Sequence, residues 1–181
     1  TTQAISLFPE KANLYLMKAF AEMQVKDYAS CVTTLKSSLH YLGNGKESQA
    51  QVYAMLGEAY NGLKEYSLSD DFFELAIDLA PENIVTLNNY AYYLSLRGDN
   101  LSRAQNFIKK CLELDPDNGT YLDTAAWIYY KSGKPKEALE FIEKAFQSED
   151  GKSPEVCLHY IEILLANDEN KEAKNLFNQL K

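Results

Sequence analysis

The sequence has few of the residues from which reactive sites are built. It contains two histidines and three cysteines among 181 residues. Neither His40 nor His159 has a cysteine or carboxylate at the spacing of a metal motif such as H-E-x-x-H or C-x2-C. The sequence also lacks the G-x-S-x-G motif and a phosphate-binding glycine loop. We therefore expect no catalytic residues, no metal site and no cofactor, and we interpret the protein as a non-enzyme.

Excess positive charge and long apolar runs are also lacking. The formal net charge is −8, and such a chain repels the phosphate backbone of nucleic acids. No apolar run is long enough to span a bilayer. The cysteine count is odd, which argues against a disulfide framework. These features predict no nucleic-acid partner and no direct membrane insertion, and they leave the compartment open between cytoplasm and periplasm.

What the sequence does contain is a helical repeat, seen best in residues 50–83. This stretch predicts two amphipathic helices joined by a short turn and ended by a proline. Counted as places 1 to 34, its places 4, 7, 8, 11, 20, 24, 27 and 32 are Tyr53, Leu56, Gly57, Tyr60, Ser69, Phe73, Ala76 and Pro81. The spacing resembles the tetratricopeptide repeat (TPR), W-x2-L-G-x2-Y followed by A-x3-F and P.

The same places recur along the chain. Place 8, where the two helices cross closely and a small residue is needed, recurs as Ala19, Gly57, Ala91 and Ala126. The residues at place 20 are spaced by 38, 35, 34 and 35 positions: Cys31, Ser69, Ala104, Ala138 and Ala173. One hairpin cannot bury its apolar face alone, so neighbouring hairpins must stack. We predict an all-α protein, an α-solenoid of about five helix-turn-helix hairpins; the resemblance implies a right-handed superhelical arc.

The register gives the limits of the repeats. We predict one domain over residues 1–181, with residues 1–11 as the tail of a preceding repeat and with full repeats at 12–45, 50–83, 84–118, 119–150 and 153–181. Four extra residues before the second repeat predict a longer loop there, and residues 149–152 predict a polar loop. All three cysteines occupy helix-packing places, so we expect them to be buried as small apolar side chains.

The resemblance also implies where a ligand would lie. In the TPR family, the first helices line a concave groove through places 2, 5, 9, 12 and 13. The groove residues we select are Phe20, Glu58, Asn88, Tyr92, Asp123, Trp127, Tyr130 and Glu162. Place 9 is aromatic three times, which suits either a binding surface or packing between adjacent first helices. The carboxylates predict an apolar peptide or helix with basic character as ligand.

The sequence therefore predicts a non-catalytic scaffold that binds a protein partner. Two alternatives stay open. The apolar residues Leu176, Phe177 and Leu180 lie in the last helix without an obvious cover, which favours an oligomerisation domain acting through its ends. The chain could also be a regulatory module of a larger enzyme. The third and fourth repeats resemble those of bacterial multi-TPR scaffold proteins, often associated with the cell envelope.

Overall fold

The structure, a computed structural model, describes residues 2–148 and 153–180. All regular secondary structure in these residues is helical, which confirms the all-α prediction. The helices are α1 (Thr2–Leu7), α2 (Ala12–Gln24), α3 (Tyr28–Leu39), α4 (Lys46–Gly62), α5 (Tyr66–Leu79), α6 (Ile84–Arg97), α7 (Leu101–Leu114), α8 (Gly119–Lys131), α9 (Pro135–Gln147), α10 (Pro154–Ala166) and α11 (Asn170–Gln179). The predicted loop at 149–152 and the last residue of the fifth repeat lie outside the described residues.

Four pairs of consecutive helices pack as hairpins: α2 with α3, α4 with α5, α8 with α9, and α10 with α11. Local sequence explains their ends. The Asn118 side chain accepts hydrogen bonds from the first N–H groups of α8, and Ser153 caps α10 just before a proline at its first position. Gly133 ends α8 with φ +74°, as expected for a helix C-cap glycine.

The internal contacts divide the chain into two compact units, Thr1–Thr86 and Leu87–Lys181, here called unit 1 and unit 2. Each is described by itself. The assignment of residues 1–181 to one domain stays a prediction.

Unit 1 confirms the predicted close crossing of places 8 and 20. The Ser69 hydroxyl donates to the carbonyl oxygen of Gly57 at 2.8 Å, so a short side chain of α5 reaches the backbone of α4. A Cβ added at Gly57 would lie 2.7 Å from the Phe73 ring, which is fully buried. The crossing therefore depends on the absence of a side chain at residue 57. Around the neighbouring hairpin, Leu35, Val52 and other apolar side chains form one buried cluster.

The longer loop predicted before the second repeat is only partly present. Residues 46–49, which the prediction assigned to that loop, form the first turn of α4. Glu47 lies in this turn, where a carboxylate interacts favourably with the helix dipole. The Gln49 side chain donates to the carbonyl oxygen of Gly43 at 2.6 Å and so holds the preceding turn against the helix. The extra residues therefore mainly lengthen a helix.

Unit 2 has its core between α8, α9 and α10. Ala126, Ala138 and Ile142 are fully buried there, at the places predicted for packing, and Ile163 of α10 is fully buried against them. Farther along, Leu164, Ala173 and Leu176 form a smaller cluster between α10 and α11. This packing holds the first helices α8 and α10 side by side.

Candidate functional site

Six of the eight selected groove residues belong to unit 2, on the first helices α6, α8 and α10. The structure adds two neighbours that the sequence analysis did not select, Glu155 and His159. We call this set the unit-2 face: Asn88, Tyr92, Asp123, Trp127, Tyr130, Glu155, His159 and Glu162. Of the two remaining groove residues, Phe20 lies on α2 and Glu58 on α4, both in unit 1.

A buried hydrogen bond ties α8 to α10 on the unit-2 face. The His159 Nδ1 lies 2.9 and 3.1 Å from the two carboxylate oxygens of Asp123. Both side chains are only 7 % exposed. With an ionised carboxylate, Nδ1 carries the proton and donates, since the carboxylate only accepts. Asp123 is therefore a fold-stabilising residue that is satisfied inside the protein and adds little charge to the surface.

Trp127 lies between the two helices joined by that bond. Its ring stacks on the His159 ring, with centroids 4.0 Å apart and planes at 21°. The Tyr130 ring packs at 5.1 Å, and the Lys131 ammonium lies 5.2 Å from the indole centroid. With this cover Trp127 is 6 % exposed. In the described part of the chain, its buried Nε1 has no hydrogen-bond acceptor.

A second polar contact spans the unit-2 face from α6 to α10. The Tyr92 hydroxyl donates to the Glu155 carboxylate, and the Tyr92 ring lies 6.1 Å from the His159 ring. Burial, followed by this hydrogen bond and nearby negative charge, raises the pKa of Tyr92 well above its ordinary value. One turn earlier on α6, Asn88 is 5 % exposed, and its Oδ1 has no donor among the described residues.

Next to the buried residues of the unit-2 face, one side of α10 is open to solvent. Glu162 is exposed, and Leu158 and Leu165 are 56 % and 48 % exposed on either side of it. These three residues are at groove places 9, 5 and 12 of the fifth repeat. They form an apolar–acidic–apolar stripe at i, i+4 and i+7 of one helix.

Unit 1 presents a different surface on its first helices. Residues Leu16, Met17, Phe20, Gln51 and Met55 line a cavity of about 350 Å³ between α2 and α4. We call this set the unit-1 face. Phe20 and Met17 are 60 % and 64 % exposed. Beside it, Lys18 is neutralised by Glu22 at 2.8 Å and also donates to Thr34. The unit-1 face is therefore apolar and open.

The groove places are not all exposed: Asn88, Asp123 and Trp127 are buried. Trp127 packs against the adjacent first helix, which is one of the two roles left open for the aromatic residues at place 9. Asp123 is buried because place 5 of the fourth repeat meets place 6 of the fifth, where the sequence has His159. Sequence reasoning missed this pair because Asp123 and His159 are 36 residues apart. The repeat register is the signal that could have brought them together.

The predicted role of the cysteines is confirmed. Cys31, Cys111 and Cys157 are all buried. Burial raises the pKa of the Cys31 and Cys111 thiols to about 11, so both are protonated at neutral pH and are poor nucleophiles. Within residues 2–148 and 153–180, no three His, Cys, Asp or Glu side chains form a metal-binding group. None of the helices described there is long and apolar enough to cross a membrane.

Comparison with known proteins adds the family. Two models described as the tetratricopeptide repeat match this chain, one at residues 50–83 and 86–118 and the other at 129–181. A TPR repeat-containing protein of Pseudomonas aeruginosa is 33 % identical over 94 residues. That alignment spans 52 % of this chain but only 15 % of the relative.

Solved structures agree in fold. The Pseudomonas aeruginosa protein pilF matches with a TM-score of 0.76 at 20 % identity, over 92 % of this chain and 73 % of its own. A thermophilic TPR protein of Thermus thermophilus matches with a TM-score of 0.77 at 13 % identity, over 93 % of this chain and 89 % of its own. At such identities the likeness concerns the fold alone. With the predicted repeat pattern, the helical hairpins and the two matching models all in agreement, the chain belongs to the tetratricopeptide repeat family.

Proposed function

We propose that this protein is a non-catalytic interaction scaffold that binds an apolar peptide or helix of a protein partner, with basic character, on its first helices. Repeats of this family generally mediate protein–protein interaction, and they are typically not enzymes. A fold does not by itself identify a ligand, so the proposal depends on the surfaces that the first helices present.

The observation that carries the proposal is the unit-1 face. An aromatic side chain that is 60 % exposed beside a cavity of about 350 Å³ has apolar surface to lose on binding. The methionines around it adapt to differently shaped ligands because their side chains are unbranched and flexible. An amphipathic helix fits such a groove through apolar anchors on one of its sides.

The charge of the protein favours a basic ligand. The net charge of −8 attracts basic segments over a distance of about one Debye length, roughly 8 Å at physiological salt. On the first helices, Glu162 is exposed and Glu58 is half-buried. Asp123 no longer supports this argument, because its carboxylate is satisfied by His159.

The test begins with a displayed library of amphipathic helical peptides, selected on the wild-type chain. The affinity of a selected peptide is then measured for the wild type and for Phe20→Ala by isothermal titration calorimetry. We expect Phe20→Ala to weaken binding about tenfold, since loss of an aromatic anchor costs more than 1 kcal/mol. Far-UV circular dichroism verifies that the variant keeps its helical content.

Phe177→Ala is the matched control. Phe177 lies on the second helix α11, is 50 % exposed, and loses the same ring in the variant. We expect Phe177→Ala to bind the selected peptide with the affinity of the wild type. A peptide bound equally well by Phe20→Ala would refute the assignment to the unit-1 face. Self-association that is detected by light scattering and abolished by Phe177→Ala would instead support oligomerisation through α11.

A further inference from the structure

The three methionines of the chain all lie on the first helices of unit 1, and one of them is open to solvent. Met17 is 64 % exposed on α2. Met23 and Met55 are partly buried and pack against the apolar core of unit 1. Met17 and Met55 also line the cavity of about 350 Å³ beside Phe20. The unit-1 face therefore carries an exposed thioether where the ligand is proposed to bind.

The cysteines do not compete with this thioether for an oxidant. Cys31, Cys111 and Cys157 are buried. Peroxides attack the thiolate, and burial raises the pKa of Cys31 and Cys111 to about 11, so these two thiols are protonated. The methionine and cysteine sulfurs all lie within the residues that the structure describes, and among them only that of Met17 belongs to an exposed side chain. An oxidant that reaches the folded protein therefore meets Met17 first.

Oxidation of Met17 changes the surface that the ligand contacts. Met17 and Phe20 are at i and i+3 of α2, so their side chains are neighbours on the helix surface. A sulfoxide converts a flexible apolar side chain into a polar one. Its oxygen is hydrated while the face is open, and that hydration is lost when an apolar ligand covers the face. The oxidised face should therefore bind such a ligand more weakly.

We propose that Met17 is a site of reversible oxidation by peroxides and that its sulfoxide weakens ligand binding to the unit-1 face. A lone pair of the sulfur forms a bond to one peroxide oxygen, the O–O bond breaks, and the proton of the transferred hydroxyl leaves with the released hydroxide as water. The sulfur is oxidised and the peroxide is reduced. Methionine sulfoxide reductases reverse the change; a pair of thiols becomes a disulfide, and the sulfoxide oxygen leaves as water. The effect on binding rests on the proposed function, whereas the site of oxidation does not.

The modification site can be tested without a ligand. The folded chain is treated with dilute hydrogen peroxide, and its tryptic peptides are followed over time by mass spectrometry. Trypsin cuts after Lys18, so Met17 and Met23 are quantified in separate peptides. We expect Met17 to gain an oxygen atom about five- to tenfold faster than Met23 and Met55, because reactivity follows exposure. The same treatment in urea should give similar rates at the three methionines. Similar rates in the folded chain would overturn the site.

The effect on binding is tested with a selected peptide that depends on Phe20. We expect isothermal titration calorimetry to show about tenfold weaker binding to the oxidised wild type, since a polar group loses its water on binding. Treatment with methionine sulfoxide reductases should restore the affinity. Met17→Leu keeps the volume and the apolar character without an oxidisable sulfur. It should bind like the untreated wild type both before and after peroxide.

Met23→Leu is the matched control. It removes a sulfur from the same helix but keeps Met17, so peroxide should weaken its binding as in the wild type. Far-UV circular dichroism verifies that both variants and the oxidised wild type keep their helical content. A loss of affinity in peroxide-treated Met17→Leu equal to that of the wild type would overturn the proposal, because the oxidation responsible would then lie at another residue.

The two proposals fail separately. If the selected peptide depends on Phe20 but binds the oxidised wild type unchanged, regulation through Met17 is overturned and the proposed function stands. If Met17 is oxidised first but peptide binding ignores Phe20, the assignment to the unit-1 face is refuted, and only the modification site is supported.

Discussion

Phe20 in unit 1 and Trp127 in unit 2 occupy the same place of their repeats, but Phe20 is 60 % exposed and Trp127 is 6 % exposed. The difference comes from the next first helix. In unit 1, α4 presents Gln51 and Met55 toward Phe20 and leaves a cavity of about 350 Å³. In unit 2, α10 presents His159, which stacks on the indole.

This comparison shows that one repeat place can serve two purposes. An aromatic residue at place 9 is exposed where the neighbouring helix leaves space and is buried where that helix supplies a flat ring. The side chain that determines whether this aromatic residue is exposed or buried lies in the following repeat. Selecting binding residues from their place in a single repeat therefore needs the next repeat as well.

The largest expected effect is on stability and separates the two aromatics directly. Trp127→Ala should lower the free energy of unfolding by about 3 kcal/mol, because it empties a packed site. Phe20→Ala should change that free energy by less than about 0.5 kcal/mol, as is usual for an exposed side chain. Urea unfolding followed by circular dichroism measures both. Similar losses of unfolding free energy in the two variants would contradict the contrast between an exposed Phe20 and a buried Trp127.

A smaller effect is expected from the polar contacts beside the two aromatics. A double-mutant cycle with Asp123→Ala and His159→Ala should give a coupling energy of about 1 to 2 kcal/mol, since the pair is buried and mutually satisfied. The matched cycle in unit 1 uses Lys18 and Glu22, whose partly exposed ion pair has a length of 2.8 Å. Its coupling should be no more than about 0.5 kcal/mol. Equal coupling energies would show that the buried Asp123–His159 pair stabilises unit 2 no more than the partly exposed Lys18–Glu22 pair stabilises unit 1.

The smallest expected effect is on the pH dependence of the free energy of unfolding, and it concerns only the unit-2 face. Burial and the hydrogen bond to Glu155 raise the pKa of Tyr92 in the folded protein, so folding favours the protonated phenol. Its contribution is complete below the pKa of an unfolded tyrosine, about 10, and is lost as the pH rises above that value. Between about pH 9 and pH 11 the wild type should therefore lose more stability than Tyr92→Phe. The two proteins differ only at residue 92, so parallel losses in urea midpoint would count against a closed Tyr92–Glu155 contact.

Much of the fold followed from the repeat pattern. The small residues at places 8 and 20, such as Gly57 and Ser69, predicted a close helix crossing, and the structure has a hydrogen bond there. Such contacts are local to one hairpin, so the spacing within a repeat is enough to find them. The start of α4 was predicted less well, because residues 46–49 were assigned to a loop and instead form the first turn of the helix.

The candidate site was predicted less well, for a physical reason. Position within a repeat identifies the side of a helix on which a residue lies, and by this criterion Phe20, Tyr92 and Trp127 were selected together. It does not say how much of that side the next helix covers. Asp123 was predicted as a surface charge, but its carboxylate lies in a buried hydrogen bond to a residue of the following repeat. Contacts between repeats depend on side-chain shape and reach, which no single-repeat pattern contains.

The sequence alone determined the helical hairpins, their register, the family and the acidic character of the chain, because periodic small and apolar residues leave one way to bury a helical face. Only the tertiary structure decided that Trp127 is buried in a stack with His159 while Phe20 remains exposed. That decision depends on which side chains meet between successive first helices. Such meetings join residues more than thirty positions apart, as with Asp123 and His159 at a separation of 36.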